Sequence, residues 1–144
     1  MPSAERAIEN LIARYAFLVD DGDFTGLGEL LDAAEFNLGT AAARGKADIE
    51  ELAAAVLQTY PDGTPRTRHV TTNLIIEVDA DAGTASSRSY FTVFQQTDDL
   101  PLQPVASGRY RDAFELYHGQ WRFAAREVST DLVGDTSHHV KQAS

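Results

Sequence analysis

Three features of the sequence predict an α+β fold: helical hydrophobic spacing confined to roughly the first sixty residues, four β-rich runs after Pro65, and turn signals between successive runs. From Ser3 the apolar positions Ala4, Ile8, Leu11, Ile12, Tyr15, Leu18 and Val19 recur at three and four, which is one helical face. Ser3 is the expected N-cap, Glu5 lies in the first turn, and Gly22 ends the run. Asp20 and Asp21 therefore fall at the C-terminal end of the helix, where the macrodipole disfavours a carboxylate. A placement against the dipole asks for a compensating partner.

A short second helix is expected over 24–31, capped by Asp23, then a weak strand over 35–38. The apolar face Ile49, Leu52, Ala53, Val56 and Leu57 predicts a third helix over 47–60, stopped by Pro61-Asp62-Gly63. After Pro65 the spacing predicts strands over 67–79, 84–96, 105–118 and 120–131, separated by an Asp-Ala-Gly turn, a Pro-containing loop and the tight turn at His118-Gly119. Helices followed by an antiparallel meander make one domain over 1–131. Residues 132–144 read as a polar tail that is either disordered or laid over the mouth of a pocket.

With 144 residues, 43% of them hydrophobic, the chain can bury a core and enclose a small cavity. A formal net charge of −10 repels phosphate backbones and anionic lipid, which argues against nucleic acid and membrane surfaces and points to a small-molecule partner or a protein. The absence of cysteine removes thiol nucleophiles, thiolate zinc sites and disulfides. The N-terminal residues carry charges among the apolar ones, unlike a signal peptide, and the expected location is the cytoplasm.

The stretch RHVTTNLIIE, residues 68–77, puts His69 and Asn73 on a strand that runs into an apolar core. A histidine there is either hydrogen-bonded as part of the framework or placed for chemistry. The order of elements, with YAFLVDDGD at the end of the first helix, RHVTTNLIIEV on the first long strand and WRFAAREV on the last, resembles the SnoaL-like members of the nuclear transport factor 2-like superfamily over residues 3–131. That resemblance implies a cystatin-like cone: a strongly curved, mixed but mostly antiparallel sheet that encloses a one-ended cavity together with three N-terminal helices. It also implies a homodimer or homotrimer, formed through a sheet face.

Lindane dehydrochlorinase, bile-acid dehydratase and scytalone dehydratase provide the nearest residue matches within this superfamily. By that resemblance His69 is a general base and Asp20 the carboxylate that holds it, Arg126 on the last strand stabilises departing or developing negative charge, and Tyr15 presents a hydroxyl to the substrate. Histidine suits the base role because the side chain titrates, as a type, near ~6.5. Asn73, Tyr90 and Thr92 are expected to contact the substrate, Tyr90 or Thr92 standing where relatives carry a second acid or histidine. The implied activity is elimination on a small hydrophobic cyclic or polyketide-like molecule, with no metal or organic cofactor. A cyclase or isomerase using the same proton abstraction and a non-catalytic binding module are the alternatives.

Each candidate also has a framework reading. Arg126 can pair with Asp112 or Asp131, and Tyr15 can pack in the core. Asp21 reads as a solvated helix end. Strict alternation puts Trp121 and Phe123 on the strand face opposite Arg126. The adjacent pair His138-His139 lies in the polar tail, where neighbouring residues do not make a closed metal site.

Overall fold

The computed structural model describes residues 2–141 and is α+β. Helix α1 spans Ala4–Asp20, α2 Phe24–Leu30 and α3 Lys46–Val56; the strands are β1 (Glu35–Asn37), β2 (Ala42–Arg44), β3 (Thr67–Asp79), β4 (Thr84–Thr97), β5 (Leu100–Tyr117) and β6 (Gln120–Val133). The six strands form one mixed sheet in the order β2-β1-β6-β5-β4-β3. Only β1 against β6 is parallel; the other pairings are antiparallel. Helix α1 crosses the inner face against β3 and β6, and α2 packs on α3.

Ser3 caps α1 by accepting a hydrogen bond from the Arg6 amide at 3.1 Å, and Asp23 caps α2 through the Gly26 amide at 2.8 Å. The first helix stops after Asp20 because Gly22 turns the chain at φ +72°, where a Cβ would also stand 2.2 Å from the Gly63 carbonyl oxygen. The carboxylate of Asp20 is thereby fixed at a sharp corner beside the first residues of β3.

The sheet curves because its long strands carry bulges. In β3 the register against β4 slips between Thr72 and Ile75, and the residue that absorbs the slip is Asn73, at φ 56°. Asparagine tolerates that left-handed conformation better than a β-branched residue. The slip lets Thr67, His69 and Thr71 face inward before it and Leu74, Ile76 and Val78 after it. Asn73 itself is exposed on the outer face.

A second bulge lies in β6, where Ala113 opposes Ala125 but Phe114 opposes Phe123. The additional residue, Ala124, shifts the alternation, so Phe123 and Arg126 are both buried on the inner face. This corrects the expectation that they occupy opposite faces. Strand β5 begins earlier than expected, at Leu100. Pro101 and Pro104 are tolerated there because the pairing with β6 ends at Ala106↔Val133, leaving that part of β5 with a free edge. Strand β2 was not anticipated: a three-residue strand carries too few alternations to register as a pattern.

Candidate active site

The inner face of the sheet, the three helices and the residues after β6 enclose a cavity of about 340 Å³. Its walls are mainly apolar, with Val19 from α1, Phe36 from β1, Phe91 and Val93 from β4 and Val128 from β6 among them. Four side chains with titratable polar atoms join this lining, Tyr15, His69, Tyr110 and His139, together with the hydroxyls of Thr40, Thr130 and Thr136.

Asp20 accepts three hydrogen bonds from β3. The Thr67 hydroxyl donates to Oδ1 at 2.8 Å, the His69 amide donates to Oδ2 at 2.8 Å, and His69 Nδ1 lies 2.6 Å from Oδ1. With Asp20 ionised, Nδ1 carries the proton in that contact, and the tautomer left on the ring has a lone pair at Nε2. Both side chains are more than nine-tenths buried. The three donors answer the carboxylate's position against the helix dipole, since charge-assisted bonds outweigh a dipole cost of about 0.3–1 kcal/mol. Nε2 makes no hydrogen bond among the described residues, and the ring lines the cavity.

Tyr15 stands on α1 five residues before Asp20, with its ring edge-on to Phe36 and Tyr110 at 6.1 and 5.7 Å. Burial pushes its phenol up to about 12, against the pull of Arg126. At neutral pH it is therefore a hydroxyl donor.

Arg126 is completely buried and does not line the cavity. Its Nε donates to Asp112 Oδ1 at 2.9 Å and its Nη2 to Oδ2 at 3.3 Å; Asp112 also accepts from the Ser87 hydroxyl at 3.2 Å. The guanidinium lies 3.6 Å from the ring centre of Tyr110 and 4.1 Å from that of Tyr15. Of the two framework partners considered for Arg126, the structure selects Asp112; Asp131 pairs instead with Arg109, at 3.2 Å. Arg126 thus sits behind the tyrosines that form the cavity wall and reaches a bound molecule only through them.

Asn73, Tyr90 and Thr92 are not brought to the cavity. Tyr90 and Thr92 alternate with the inward residues Ser89, Phe91 and Val93, so the pleat turns them outward, and Asn73 is the bulge residue on the same outer face. Tyr90 is 45% exposed there, and Thr92 shares a 3.4 Å contact with the Ser107 hydroxyl. Asp21 is exposed, as a solvated helix end should be.

The residues after β6 turn back over the cavity, the second of the two arrangements considered for the tail; residues 142–144 lie outside the described part. The Gln58 amide donates to the His139 carbonyl at 2.9 Å, the Lys141 amide to the Val56 carbonyl at 2.8 Å, and Gln95 Nε2 to the His138 carbonyl at 2.9 Å. His138 remains beside Ser137 at the surface while His139 is 92% buried. The two histidines therefore have separate environments. Gln95 and His139 are site residues that sequence reasoning missed. Gln95 has a visible signal, being the longest polar side chain on the face that carries Ser87, Ser89, Phe91 and Val93. His139 has none, because nothing in a polar tail shows where the chain folds back.

Burial lowers His139 to about 4, with His69 pushing the same way and Asp20 opposing. A histidine whose docked value is depressed contributes stability that is present above the free value of ~6.5 and lost as pH falls towards the docked value. Tail docking is expected to weaken over that window by an amount on the order of 3 kcal/mol. Hydrogen exchange of the Gln58 and Lys141 amides, corrected for intrinsic rates, should show protection at about pH 7.5 that is largely gone at about pH 4.5. Equal protection at both would refute it.

A family model described as a SnoaL-like domain matches residues 3–127. The chain belongs to the SnoaL-like domain family. Similar solved structures include a variant of Rv3472 from Mycobacterium tuberculosis, a protein of unknown function, with 28% identity, a TM-score of 0.72, and coverage of 90% of this chain and 73% of that one. An NTF2-like protein with a cystatin-like fold from Novosphingobium aromaticivorans is 26% identical, with a TM-score of 0.73 and coverage of 88% and 80%. A candidate scytalone dehydratase from the same organism is similar in fold alone, at 23% identity, a TM-score of 0.70 and coverage of 91% and 86%. No curated protein matches the chain. This SnoaL-like protein has no described helix long and apolar enough to cross a membrane.

Proposed function

We propose that this SnoaL-like protein is a cofactor-independent lyase of the dehydratase type, acting on a small hydrophobic cyclic or polyketide-like molecule. The observation that carries the reading is a histidine held through Nδ1 by a buried carboxylate while its ring lines an apolar cavity. His69 Nε2 takes a proton from the carbon next to a carbonyl, and the C–H electron pair forms an enolate. The enolate collapses to a C=C bond as hydroxide leaves the β-carbon, taking the proton back from His69 as water. Asp20 fixes the ring and stabilises the transient imidazolium. Tyr15 supplies a hydroxyl to orient the substrate. Arg126 supports Tyr15 from behind and touches no substrate.

The test is deuterium exchange at the carbon next to the carbonyl of 1-tetralone in D2O, followed by NMR. It reports the proton-abstraction step without requiring the natural leaving group. An isomerase or cyclase using this step shares the same dyad.

One observation favours a binding module instead: the middle strand β4 offers the cavity Phe91 and Val93 and no second acid. Retention of an unchanged ligand by the wild type, with His69 and Asp20 substitutions altering affinity alone, would establish that reading. Contact between copies of this chain is assigned to the outer sheet face, where Val70, Ile75 and Tyr90 are 41%, 45% and 45% exposed. Sedimentation should show an oligomer for the wild type and a smaller species for Tyr90→Glu; a monomeric wild type would end the assignment.

A further inference from the structure

We propose that His139, carried into the cavity by the C-terminal tail, is a second catalytic residue that donates an N–H to the substrate's carbonyl oxygen while His69 removes the adjacent proton. This rests on the elimination reading above and deepens it: the ligand class becomes an enolisable ketone.

Geometry carries the inference. The His139 and His69 rings lie edge-to-face with centres 6.0 Å apart, and both line the same cavity. In an enolate the carbon that has lost the proton and the oxygen that gains charge are two bonds apart, on the order of 2.4 Å. Two imidazoles at this spacing, each within hydrogen-bond reach of its own atom, can address both ends of that planar fragment from one wall.

The ring also has an unmet need. His139 Nδ1 is buried with no hydrogen-bond partner among the described residues, so the neutral ring keeps its lone pair there and carries its N–H on Nε2, the nitrogen left for a ligand. The chain invests in holding the ring there. Gln95, itself buried, and Gln58 tie the residues on either side of it by carbonyl contacts, and Leu57 pairs with Val140 in an isolated bridge.

Burial keeps His139 neutral at physiological pH. A neutral imidazole cannot deliver a full proton easily, but it is a sound N–H donor towards developing oxyanion charge, and it does not compete with His69 for the base role. The tail thereby supplies the polar contact that β4 withholds.

The experiment uses the full chain and two probes. Binding of 1-naphthol, which has the shape of the 1-tetralone enol, is followed by its fluorescence, and 1-tetralone exchange by NMR. His139→Phe is expected to weaken naphthol binding about tenfold or more and to slow exchange at least as much, while His139→Gln, whose amide can donate, stays within about threefold of wild type in binding. Protection of the Lys141 amide in both variants shows that the tail remains docked. His69→Ala should slow exchange by a factor on the order of 100 or more. Wild-type naphthol binding with His139 dependence but no exchange would refute the elimination reading and leave the ligand contact standing. Wild-type affinity in His139→Phe with the tail docked would overturn the proposal, as would a failure of the wild type to bind naphthol.

Discussion

His69→Ala is expected to slow exchange of 1-tetralone by a factor on the order of 100 or more, the usual contribution of a positioned general base. Asp20→Asn should cost a comparable factor without removing the ring. The carboxylate oxygens face donors on both sides: Oδ1 meets the Thr67 hydroxyl and His69 Nδ1, and Oδ2 meets the His69 amide. An asparagine can satisfy only one side. If its NH2 faces the His69 amide, two donors oppose each other in a buried place. If the NH2 faces Nδ1, that nitrogen must become the acceptor, the proton moves to Nε2, and the Nε2 lone pair is lost.

Thr67→Val separates positioning from fold. It removes one donor to Oδ1 and leaves the two bonds from His69, so exchange should fall less than tenfold. Exchange rates in His69→Ala or Asp20→Asn equal to wild type would end the dyad as the chemical centre and favour the binding module.

The sequence made these two residues legible for a physical reason. Asp20 stood against a helix dipole and His69 stood on a strand entering the core, which singled out each residue, and the resemblance to SnoaL-like proteins implied that they pair. The helix caps, the limits of β3 and the α+β class follow from local patterns in the same way. What was lost to the sequence was register. The bulge at Asn73 and the additional residue Ala124 each shift a period-2 alternation by one, so Phe123 joins Arg126 on the inner face. Tyr90 and Thr92 went astray differently. Their alternation was readable, but which face of β4 meets the cavity depends on helices packed from elsewhere in the chain. The position of His139 depends on long-range hydrogen bonds to Gln58 and Gln95, and no local spacing encodes it.

The largest loss of stability is expected from Asp112→Ala, at about 3–5 kcal/mol, the usual cost of stranding one member of a buried ion pair. Against a total of about 5–15 kcal/mol for a domain, that brings the protein close to unfolding at moderate temperature. Arg126 has no exposed side-chain surface, and its Nη1 already lacks a partner among the described residues. With the carboxylate gone, the guanidinium keeps its charge, because it cannot shed a proton in a protein. The converse change is milder. Burial already raises the Asp112 carboxyl, with Arg126 and the Ser87 hydroxyl pulling it back, so in Arg126→Met the acid can take up a proton and sit as a neutral group bonded to Ser87. Urea denaturation should therefore rank Asp112→Ala below Arg126→Met, and the double variant Asp112→Ala/Arg126→Met above Asp112→Ala alone. Equal losses in the two single variants would mean that the pair stabilises through packing volume and not through charge. Activity should separate from stability in Arg126→Met, because Tyr15 and Tyr110 rest on the guanidinium and Tyr15 forms part of the cavity wall. A variant that stays folded yet binds 1-naphthol less tightly would locate the contribution of Arg126 in holding that wall, one layer behind the substrate.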